Sequence, residues 1–375
     1  MSLTKKIFYS SVLTLLSIII IYFLLEIFLY FTSYPNQTAL IYPRTDFIEE
    51  IGVIPKKNQN IYHSARGLPT KVYTINTDRY RGDLIPYNDN QKKIIVLGDS
   101  HSFGMGINDF ETYPYKLDKL LNDYRVVNLS SPGWGLTHQI NRYLTIGEMY
   151  NPDVIIIQFC SNDPTDNIRE KSIEWNEKNQ SFEKIEIQKS EYNNLRLFVK
   201  KFSYVFDFLS GYSLTFNRLK QIYAHHLINN DVEIAADTDN KTIKSIESQK
   251  QYVFLLNKFI EKLNSESKYV IMIDPVSQLR KQSPYIYKNV MKLDKQNKIL
   301  YLDTEKWVPD KLHKKYNLGP IFTHYWGNYS NKWISINLAQ IISKNYLNEE
   351  FNWFKNIRIL DLIDKCSKTD CLDKI

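Results

Sequence analysis

The stretch that decides the fold is IIVLGDSHSFGMGIN, residues 94–108. Its first four residues are apolar, as in a buried strand, and they end abruptly in Gly-Asp-Ser at 98–100. Gly104 and Gly106 follow at once, although the chain has only 12 glycines among 375 residues. Because glycine permits positive φ and close approach of the backbone, the stretch predicts a strand that ends in a sharply bent loop carrying a serine.

On both sides of this stretch, short apolar strands alternate with amphipathic helices. The predicted strands are RVVNL at 125–129, DVIIIQF at 153–159, YVIMID at 269–274 and ILYLD at 299–303. The predicted helices are YPYKLDKLLND at 113–123, THQINRYLTIGEMY at 137–150, QKQYVFLLNKFIEKL at 249–263 and a last one from 331 to about 346. Strands that are apolar on both faces predict a parallel sheet covered by helices, with ligands bound beyond the carboxyl ends of the strands.

Three consecutive loops at that edge of the sheet offer the groups that acyl transfer requires. Ser100 follows the first strand, Gly133 the second and Asn162 the third. A serine nucleophile creates a tetrahedral oxyanion, which needs two or three preorganised hydrogen-bond donors. The backbone N–H groups of Ser100 and Gly133 and the side-chain amide of Asn162 are therefore the predicted oxyanion hole.

A histidine between the last strand and the last helix is the predicted base. Of the chain's seven histidines, His313 and His324 lie in that interval. We favour His324, because it precedes Ser330, a candidate N-cap of the last helix, by six residues and so lies in the loop that returns to this edge. The alternative is His313, which has Asp310 three residues before it.

Four sequence blocks resemble, in order and spacing, the conserved blocks of the SGNH or GDSL hydrolase superfamily. They are VLGDSHSFGMGIN at 96–108, NLSSPGWG at 128–135, FCSND at 159–163 and THYWGN at 323–328. With INTDRYRGD at 75–83 and ETYPYKL at 111–117, the first block is similar to the membrane-anchored bacterial branch. The resemblance implies a flavodoxin-like three-layer α/β/α fold, Ser100 as nucleophile, an oxyanion hole of Ser100, Gly133 and Asn162, and His324 as base.

Two positions depart from the family pattern. The family places an aspartate two or three residues before the histidine, where this chain has Ile321 and Phe322. Asp310 or Asp303 then orients the imidazole, or a backbone carbonyl does so in a dyad. In the third block Cys160 replaces a glycine, and we interpret this as tolerated because cysteine is small.

The N-terminus predicts a membrane anchor. Residues 7–25 carry no charge, and the apolar run continues to Phe31 apart from Glu26. Lys5 and Lys6 precede the run, so the positive-inside rule leaves residues 1–6 in the cytoplasm and the rest outside. The predicted ranges are a signal anchor at 7–32, a proline-containing stalk at 33–68, the hydrolase-like domain at 69–347 with a lid-like insertion at 169–240, and a tail at 348–375.

The amino-acid composition favours some classes of binding partner over others. The net charge of +7 comes from scattered residues without a long basic run, which favours mild attraction to an anionic envelope glycan over binding of nucleic acid. No Cys/His spacing predicts a metal site, and we expect no cofactor. Cys366 and Cys371 are close enough in sequence to form a disulfide outside the cytoplasm.

Three functions fit the sequence. The first is a membrane-anchored extracytoplasmic serine esterase that removes a small acyl group, such as acetyl, from an envelope glycan or related carbohydrate. The second is an O-acyltransferase that delivers the same acyl group to a sugar hydroxyl of an envelope polysaccharide. The third is a catalytically silent SGNH domain that binds glycan. The reason to consider it is that the chain lacks the aspartate that the family places before the histidine.

Overall fold

The structure is a computed structural model of the whole chain. It describes residues 3–32, 40–42, 45–64, 70–169, 171–186, 209, 213–216, 218–219, 238–307 and 328–344. The described residues fall into two compact units. The anchor unit comprises those of Met1–Tyr42, His63–Thr70 and Glu191–Ala236, and the sheet unit comprises those of Pro43–Tyr62, Lys71–Ser190 and Asp237–Ile375.

The anchor unit begins with a long apolar helix, α1 (Leu3–Thr32). Within its 26-residue segment Thr4–Leu29, the most apolar window of 18 residues has a mean hydropathy of 2.7, and none of that window is buried in the protein. By length and composition this helix can cross a membrane, a property that a signal sequence shares.

Short strands precede the central sheet. They are β1 (Leu40–Tyr42), β2 (Thr45–Ile48), β3 (Gly52–Pro55), β4 (Gln59–Ser64) and β5 (Lys71–Ile75). β2 and β3 pair antiparallel, and Ile51 and Ile54 pack with Trp134 in one apolar cluster. The structure therefore differs from an extended stalk over 45–62, because these isoleucines find a buried partner in the sheet unit.

The sheet unit contains seven further strands. They are β6 (Lys92–Leu97), β7 (Tyr124–Asn128), β8 (Val154–Gln158), β9 (Ile173–Asn176), β10 (Ser181–Lys184), β11 (Tyr269–Asp274) and β12 (Leu300–Asp303). Five of them form one sheet in the order β12-β11-β8-β6-β7, and all its pairs are parallel. Numbered along the chain from β6, this is the flavodoxin-like order 2-1-3-4-5. β9 and β10 pair antiparallel as a separate hairpin within the predicted insertion.

Helices cover both faces of the sheet, as predicted. They are α2 (Ser100–Phe103), α3 (Tyr113–Leu120), α4 (Leu136–Thr145), α5 (Asp163–Arg169), α6 (Thr238–Ser265), α7 (Gln278–Gln282), α8 (Pro284–Lys295) and α9 (Asn328–Ile342). On one face Ile94 of β6 shares a core with Ile334 of α9, and on the other Ile95 shares a core with Phe259 of α6. Successive strand residues point to opposite faces, so these two cores define three layers and confirm the predicted fold class.

Candidate active site

Ser100 lies where the central strand β6 becomes a helix. β6 ends at Leu97, and Ser100 is the first residue of α2. Asp99 is the N-cap, and its carboxylate accepts a hydrogen bond from the backbone N–H of His101 at 3.3 Å. The turn thus sets the serine at the carboxyl end of β6, as the sequence predicted.

Gln158, the last residue of β8, fixes this turn from the neighbouring strand. Its Oε1 accepts from the backbone N–H groups of Asp99 and Ser102, both at 3.2 Å. A Cβ on Gly98 would lie 2.7 Å from the same Oε1 atom. Gly98 is therefore required by close packing against Gln158, which leaves no room for a side chain.

The carboxylate of Asp99 joins the serine to the predicted amide donor. Ser100 Oγ donates to Asp99 Oδ1 at 2.5 Å, and Asn162 Nδ2 donates to Asp99 Oδ2 at 3.1 Å. Asn162 Nδ2 also donates to Asp166 Oδ2 at 2.5 Å, from the following helix α5. Ser100 and Asn162 are therefore hydrogen-bonded to the two oxygens of one carboxyl group, which fixes the position of the hydroxyl relative to the amide.

Gly133 occupies the loop after β7 on the other side of β6. Its φ is +77°, a left-handed value that favours glycine, and no heavy atom lies within 4 Å of where a Cβ would be. The loop is tied to the serine turn, because Ser131 N donates to Gly98 O at 3.3 Å and Asn128 Nδ2 to Ser102 O at 2.8 Å. Gly133 thus presents an exposed backbone beside the serine loop.

The loops after β7 and β8 also contact each other. A Cβ on Gly135 would lie 2.5 Å from Asn167 Oδ1, and that oxygen accepts from the backbone N–H of Thr137 at 2.9 Å. Because β7, β6 and β8 are adjacent in the sheet, their three loops meet at one edge. That edge includes the point between β6 and β8 where the strand order reverses, which is where ligands bind in open α/β sheets.

Several predicted residues lie outside the described part of the chain. These are the candidate bases His324 and His313, the candidate acid Asp310, and the two C-terminal cysteines Cys366 and Cys371. Asp303, the other candidate acid, ends β12 and accepts from Ser277 Oγ at 2.5 Å and from the backbone N–H of Glu305 at 3.0 Å. Within the described residues, no three His, Cys, Asp or Glu side chains are placed to hold a metal ion.

Cys160, which replaces the family's glycine, is buried and is not in a disulfide. Its backbone N–H donates to Asp163 Oδ2 at 3.1 Å. Burial, with the nearby carboxylates of Asp99 and Asp163, raises the pKa of the thiol, so it stays protonated and inert. Burial and the charge of Asp99 also raise the pKa of Asp163 well above its usual range.

The arrangement places a serine, a glycine backbone and an asparagine amide on three adjacent parallel strands in the flavodoxin-like order. This is a three-layer α/β/α fold with the flavodoxin-like strand order. No family model and no curated protein matches the chain. The fold assignment rests on the order and parallel pairing of the strands.

Solved structures that resemble the chain include ester hydrolases and lipolytic proteins. A psychrotrophic esterase from Pseudoalteromonas sp. is 12% identical, with a TM-score of 0.39 and coverage of 69% of this chain and 100% of that one. An acetyl xylan esterase from the rumen bacterium Butyrivibrio proteoclasticus is 13% identical, with a TM-score of 0.34 and coverage of 76% and 68%. A member of the lipolytic protein G-D-S-L family from Veillonella parvula is 10% identical, with a TM-score of 0.37 and coverage of 69% and 100%.

Arg81 holds the loop that follows Ser100, a role that was not predicted from the sequence. Its Nη1 donates to the carbonyl oxygens of Phe103 and Gly104, and its Nη2 donates to that of Ile107, each at 2.6 Å. Its Nε donates to Asp109 Oδ1, also at 2.6 Å. One buried guanidinium thus holds the loop that follows the serine. The available signal was INTDRYRGD, which contributed to the family resemblance without pointing to these partners.

Two glycines with similar φ make a matched pair of substitutions. Gly104 has φ +81°, and its Cβ would lie 2.5 Å from Thr112 Cγ2 and 2.9 Å from Arg81 Nη1, whereas Gly133 faces open space. We expect Gly133→Ala to lower the free energy of unfolding by about 1 kcal/mol, from backbone strain alone. Gly104→Ala should lower it by about 3 kcal/mol, because a steric clash adds to the strain. Urea unfolding checks both, and equal effects would contradict the packing described for Gly104.

Asp274 supplies a test of pH dependence at the carboxyl end of β11. Its Oδ1 accepts from Leu279 N at 3.0 Å and its Oδ2 from the Tyr301 hydroxyl at 2.7 Å. Burial raises the pKa of its carboxyl from 3.8 to about 6, and these hydrogen bonds only partly oppose the rise. The folded state therefore holds this proton more tightly than the unfolded state does.

Ionisation of Asp274 therefore lowers the free energy of unfolding as the pH rises from about 4 to about 6. We expect Asp274→Asn, which has the same shape and stays neutral, to be about 2 kcal/mol more stable than the wild type above pH 7. The difference should shrink to nothing below about pH 3, where the carboxyl group of Asp274 is protonated in both the folded and the unfolded state. Urea unfolding at a series of pH values measures it, and a pH-independent difference would refute the assignment.

Proposed function

We propose that this chain is a membrane-anchored extracytoplasmic serine esterase that removes a small acyl group, such as acetyl, from an envelope glycan or related carbohydrate. The observation that carries the proposal is the meeting of Ser100, Gly133 and Asn162 at the ends of three adjacent strands, with Asp99 hydrogen-bonded to both Ser100 and Asn162. This set matches the nucleophile and oxyanion donors that acyl transfer needs.

In the proposed reaction, Ser100 Oγ attacks the ester carbonyl carbon and His324 takes the hydroxyl proton. The hydroxyl, which donates to Asp99 in the structure, rotates toward the histidine when substrate binds. The oxyanion accepts hydrogen bonds from the backbone N–H groups of Ser100 and Gly133 and from Asn162 Nδ2. For this, Asn162 Nδ2 exchanges its hydrogen bond to Asp99 for one to the oxyanion and keeps its bond to Asp166. The C–O bond then breaks, the leaving alcohol receives the proton from His324, and water activated by the same histidine hydrolyses the acyl-enzyme.

The location follows from the N-terminal helix. In the proposed topology α1 crosses the membrane with Lys5 and Lys6 on the cytoplasmic side, so the sheet unit acts outside the cytoplasm. The positive net charge of +7 favours residence near an anionic envelope polymer. An acylated glycan outside the cytoplasm is the substrate class that agrees with both the proposed location and the positive net charge.

Labelling with an organophosphonate directed at activated serines tests the proposal. The full chain in detergent should gain one phosphonyl group, located at Ser100 by peptide mass spectrometry, and Ser100→Ala should gain none. An unlabelled wild type would support the silent glycan-binding alternative. If labelling succeeds, supplying an acyl donor with acceptor sugars separates the two enzymes: transfer product in excess of free acid would replace the esterase with the acyltransferase.

The identity of the base is tested by two histidine variants. We expect His324→Ala to lower turnover of an acetyl ester by about 10³-fold or more, because Ser100 then has no group to take its proton. His313→Ala should lower it by less than about threefold, because His313 takes no part in the proposed reaction. The reverse result would make His313 the base with Asp310 as its partner.

A further inference from the structure

The lone acidic residue of α1, Glu26, has hydrogen-bond partners in the anchor unit. Its carboxylate accepts from Leu214 N at 2.5 Å, from Thr215 N at 3.0 Å and from Ser213 Oγ at 3.1 Å. Ser213 and Thr215 are each only 5% exposed. Glu26 is therefore bound to a specific turn of the chain some 190 residues away.

With this contact, every backbone N–H group at the start of the turn has a hydrogen-bond acceptor. Ser213 N donates to Leu209 O at 2.9 Å, and Phe216 N donates to Ser213 Oγ at 3.0 Å. With Leu214 N and Thr215 N bound to Glu26, the four successive backbone donors at 213–216 all have protein partners. Such complete pairing is what backbone requires where water is scarce, as at the boundary of a lipid bilayer.

The position of Glu26 along α1 agrees with that boundary. At 1.5 Å per residue, Ile7 and Glu26 are separated by about 29 Å along the axis, close to the thickness of the hydrocarbon core of about 30 Å. With Lys5 and Lys6 at the inner surface, Glu26 lies at the outer edge of that core. Among the described side chains of α1, Glu26 and Leu29 are half-buried while the others are exposed, so one face of the helix near this edge packs on protein.

Apolar side chains beside the turn are exposed. Leu209 is 38% exposed and Leu219 is 60% exposed. In sequence, residues 194–222 intersperse arginine and lysine with leucine, phenylalanine and tyrosine, a composition typical of segments that lie in a membrane interface. Basic residues there are attracted to anionic lipid headgroups.

We propose that Glu26 docks the turn at 213–216 onto the anchor helix so that the neighbouring Leu209 and Leu219 contact the outer leaflet of the bilayer. The anchor is then a folded, lipid-contacting part of the protein, and the turn at 213–216 is held at the membrane surface instead of being free in the surrounding water. The inference rests on the membrane anchor of the proposed function and is independent of the chemistry at Ser100.

A depth-sensitive probe tests this contact in the full chain. With Cys366→Ser and Cys371→Ser, an NBD fluorophore is attached at position 219 through Leu219→Cys, while buried Cys160 stays unreacted. The protein is reconstituted into vesicles of phosphatidylcholine and phosphatidylglycerol with or without a spin label at carbon 5 of the acyl chain. We expect blue-shifted emission and quenching of about half or more, as for a side chain at the boundary of headgroup and acyl chain. The same probe introduced through Tyr285→Cys, an exposed site of the sheet unit, should not be quenched.

The role of Glu26 is separated by matched variants of α1. Glu26→Leu should abolish quenching at position 219, and Glu26→Gln, which keeps one acceptor oxygen, should reduce it. Thr14→Leu is the control, because Thr14 Oγ1 donates only to Ser10 O within the helix, at 2.9 Å. Quenching that persists in Glu26→Leu would overturn the docking role, and an unquenched wild type would overturn the lipid contact.

Alkaline carbonate extraction distinguishes this failure from failure of the anchor. A wild-type chain that resists extraction but is not quenched contradicts this inference alone. A chain that is released contradicts both the anchor and this inference, whereas phosphonate labelling at Ser100 reports on the enzyme in either case.

Discussion

Ser100→Ala should lower turnover of an acetyl ester by about 10⁴-fold or more while leaving the fold intact. The loss is large because the proposed reaction has no nucleophile once the Ser100 hydroxyl is removed. The backbone N–H of residue 100 and the cap of α2 by Asp99 do not depend on the hydroxyl, so the loop should keep its shape. Initial rates with an acetylated chromogenic ester measure the effect, and circular dichroism confirms the fold.

Ser102→Ala is the matched control for this variant. Ser102 lies in the same short helix and is fully buried, with its Oγ 2.7 Å from the Tyr113 hydroxyl. Its loss should cost about 1 kcal/mol of stability and change turnover by less than about tenfold. Comparable losses of turnover in Ser100→Ala and Ser102→Ala would show that the loop, and not the Ser100 hydroxyl, is what matters.

Arg81→Leu should lower the free energy of unfolding by about 4 kcal/mol, the largest stability effect expected in the site. The side chain of Arg81 is 2% exposed, and its loss removes the ion-pair partner of Asp109 and the guanidinium donors of three carbonyl oxygens. Of these, the carbonyl oxygen of Gly104 keeps a second donor, Ile107 N at 3.4 Å. The guanidinium also lies 4.1 Å from the centre of the Tyr73 ring, so packing is lost as well. Urea unfolding of the full chain in detergent measures the change.

Arg125→Leu serves as the control for Arg81. Arg125 pairs with Asp118 at 3.2 Å and with Asp89 at 3.7 Å, but its side chain is 31% exposed. Surface ion pairs of this kind contribute about 1 kcal/mol or less. Arg81→Lys should fall between the two variants, because an ammonium cannot reach Asp109 and three carbonyl groups together.

Arg81 also positions the loop that follows Ser100, and this role has its own readout. If Arg81→Leu remains folded at low temperature, we expect the rate of phosphonate labelling at Ser100 to fall by about tenfold or more, since the loop at 103–107 loses its shared donor. Arg125→Leu should label at the wild-type rate. Unchanged labelling in folded Arg81→Leu would limit Arg81 to stability.

Local pattern was sufficient to predict the sheet and the three site loops. The residues of β8, Val154–Gln158, are all buried, as an apolar run without alternation predicts for a strand covered on both faces. Glycines with positive φ at 104, 106 and 133 mark loops whose backbone geometry excludes most other residues. Such signals depend on neighbours in sequence, so a single chain displays them without knowledge of its tertiary contacts.

The hydrogen-bond partners of Asp99, Arg81 and Trp134 could not be predicted from local sequence patterns. Asp99 meets Asn162 across 63 positions, Arg81 meets its carbonyl partners across 22 to 26, and Trp134 Nε1 donates to Val53 O across 81. The last contact folds a segment whose prolines had predicted an extended stalk.

By itself, then, the sequence determined the strand and helix alternation, the bent glycine loops and the residue types that suit acyl transfer. The order of the strands, the carboxylate shared by Ser100 and Asn162 and the buried arginine behind the loop were decided only by tertiary structure. The physical reason is that hydrogen bonds and close packing join atoms by distance in space, and the crossovers of a parallel sheet bring together residues that are far apart along the chain.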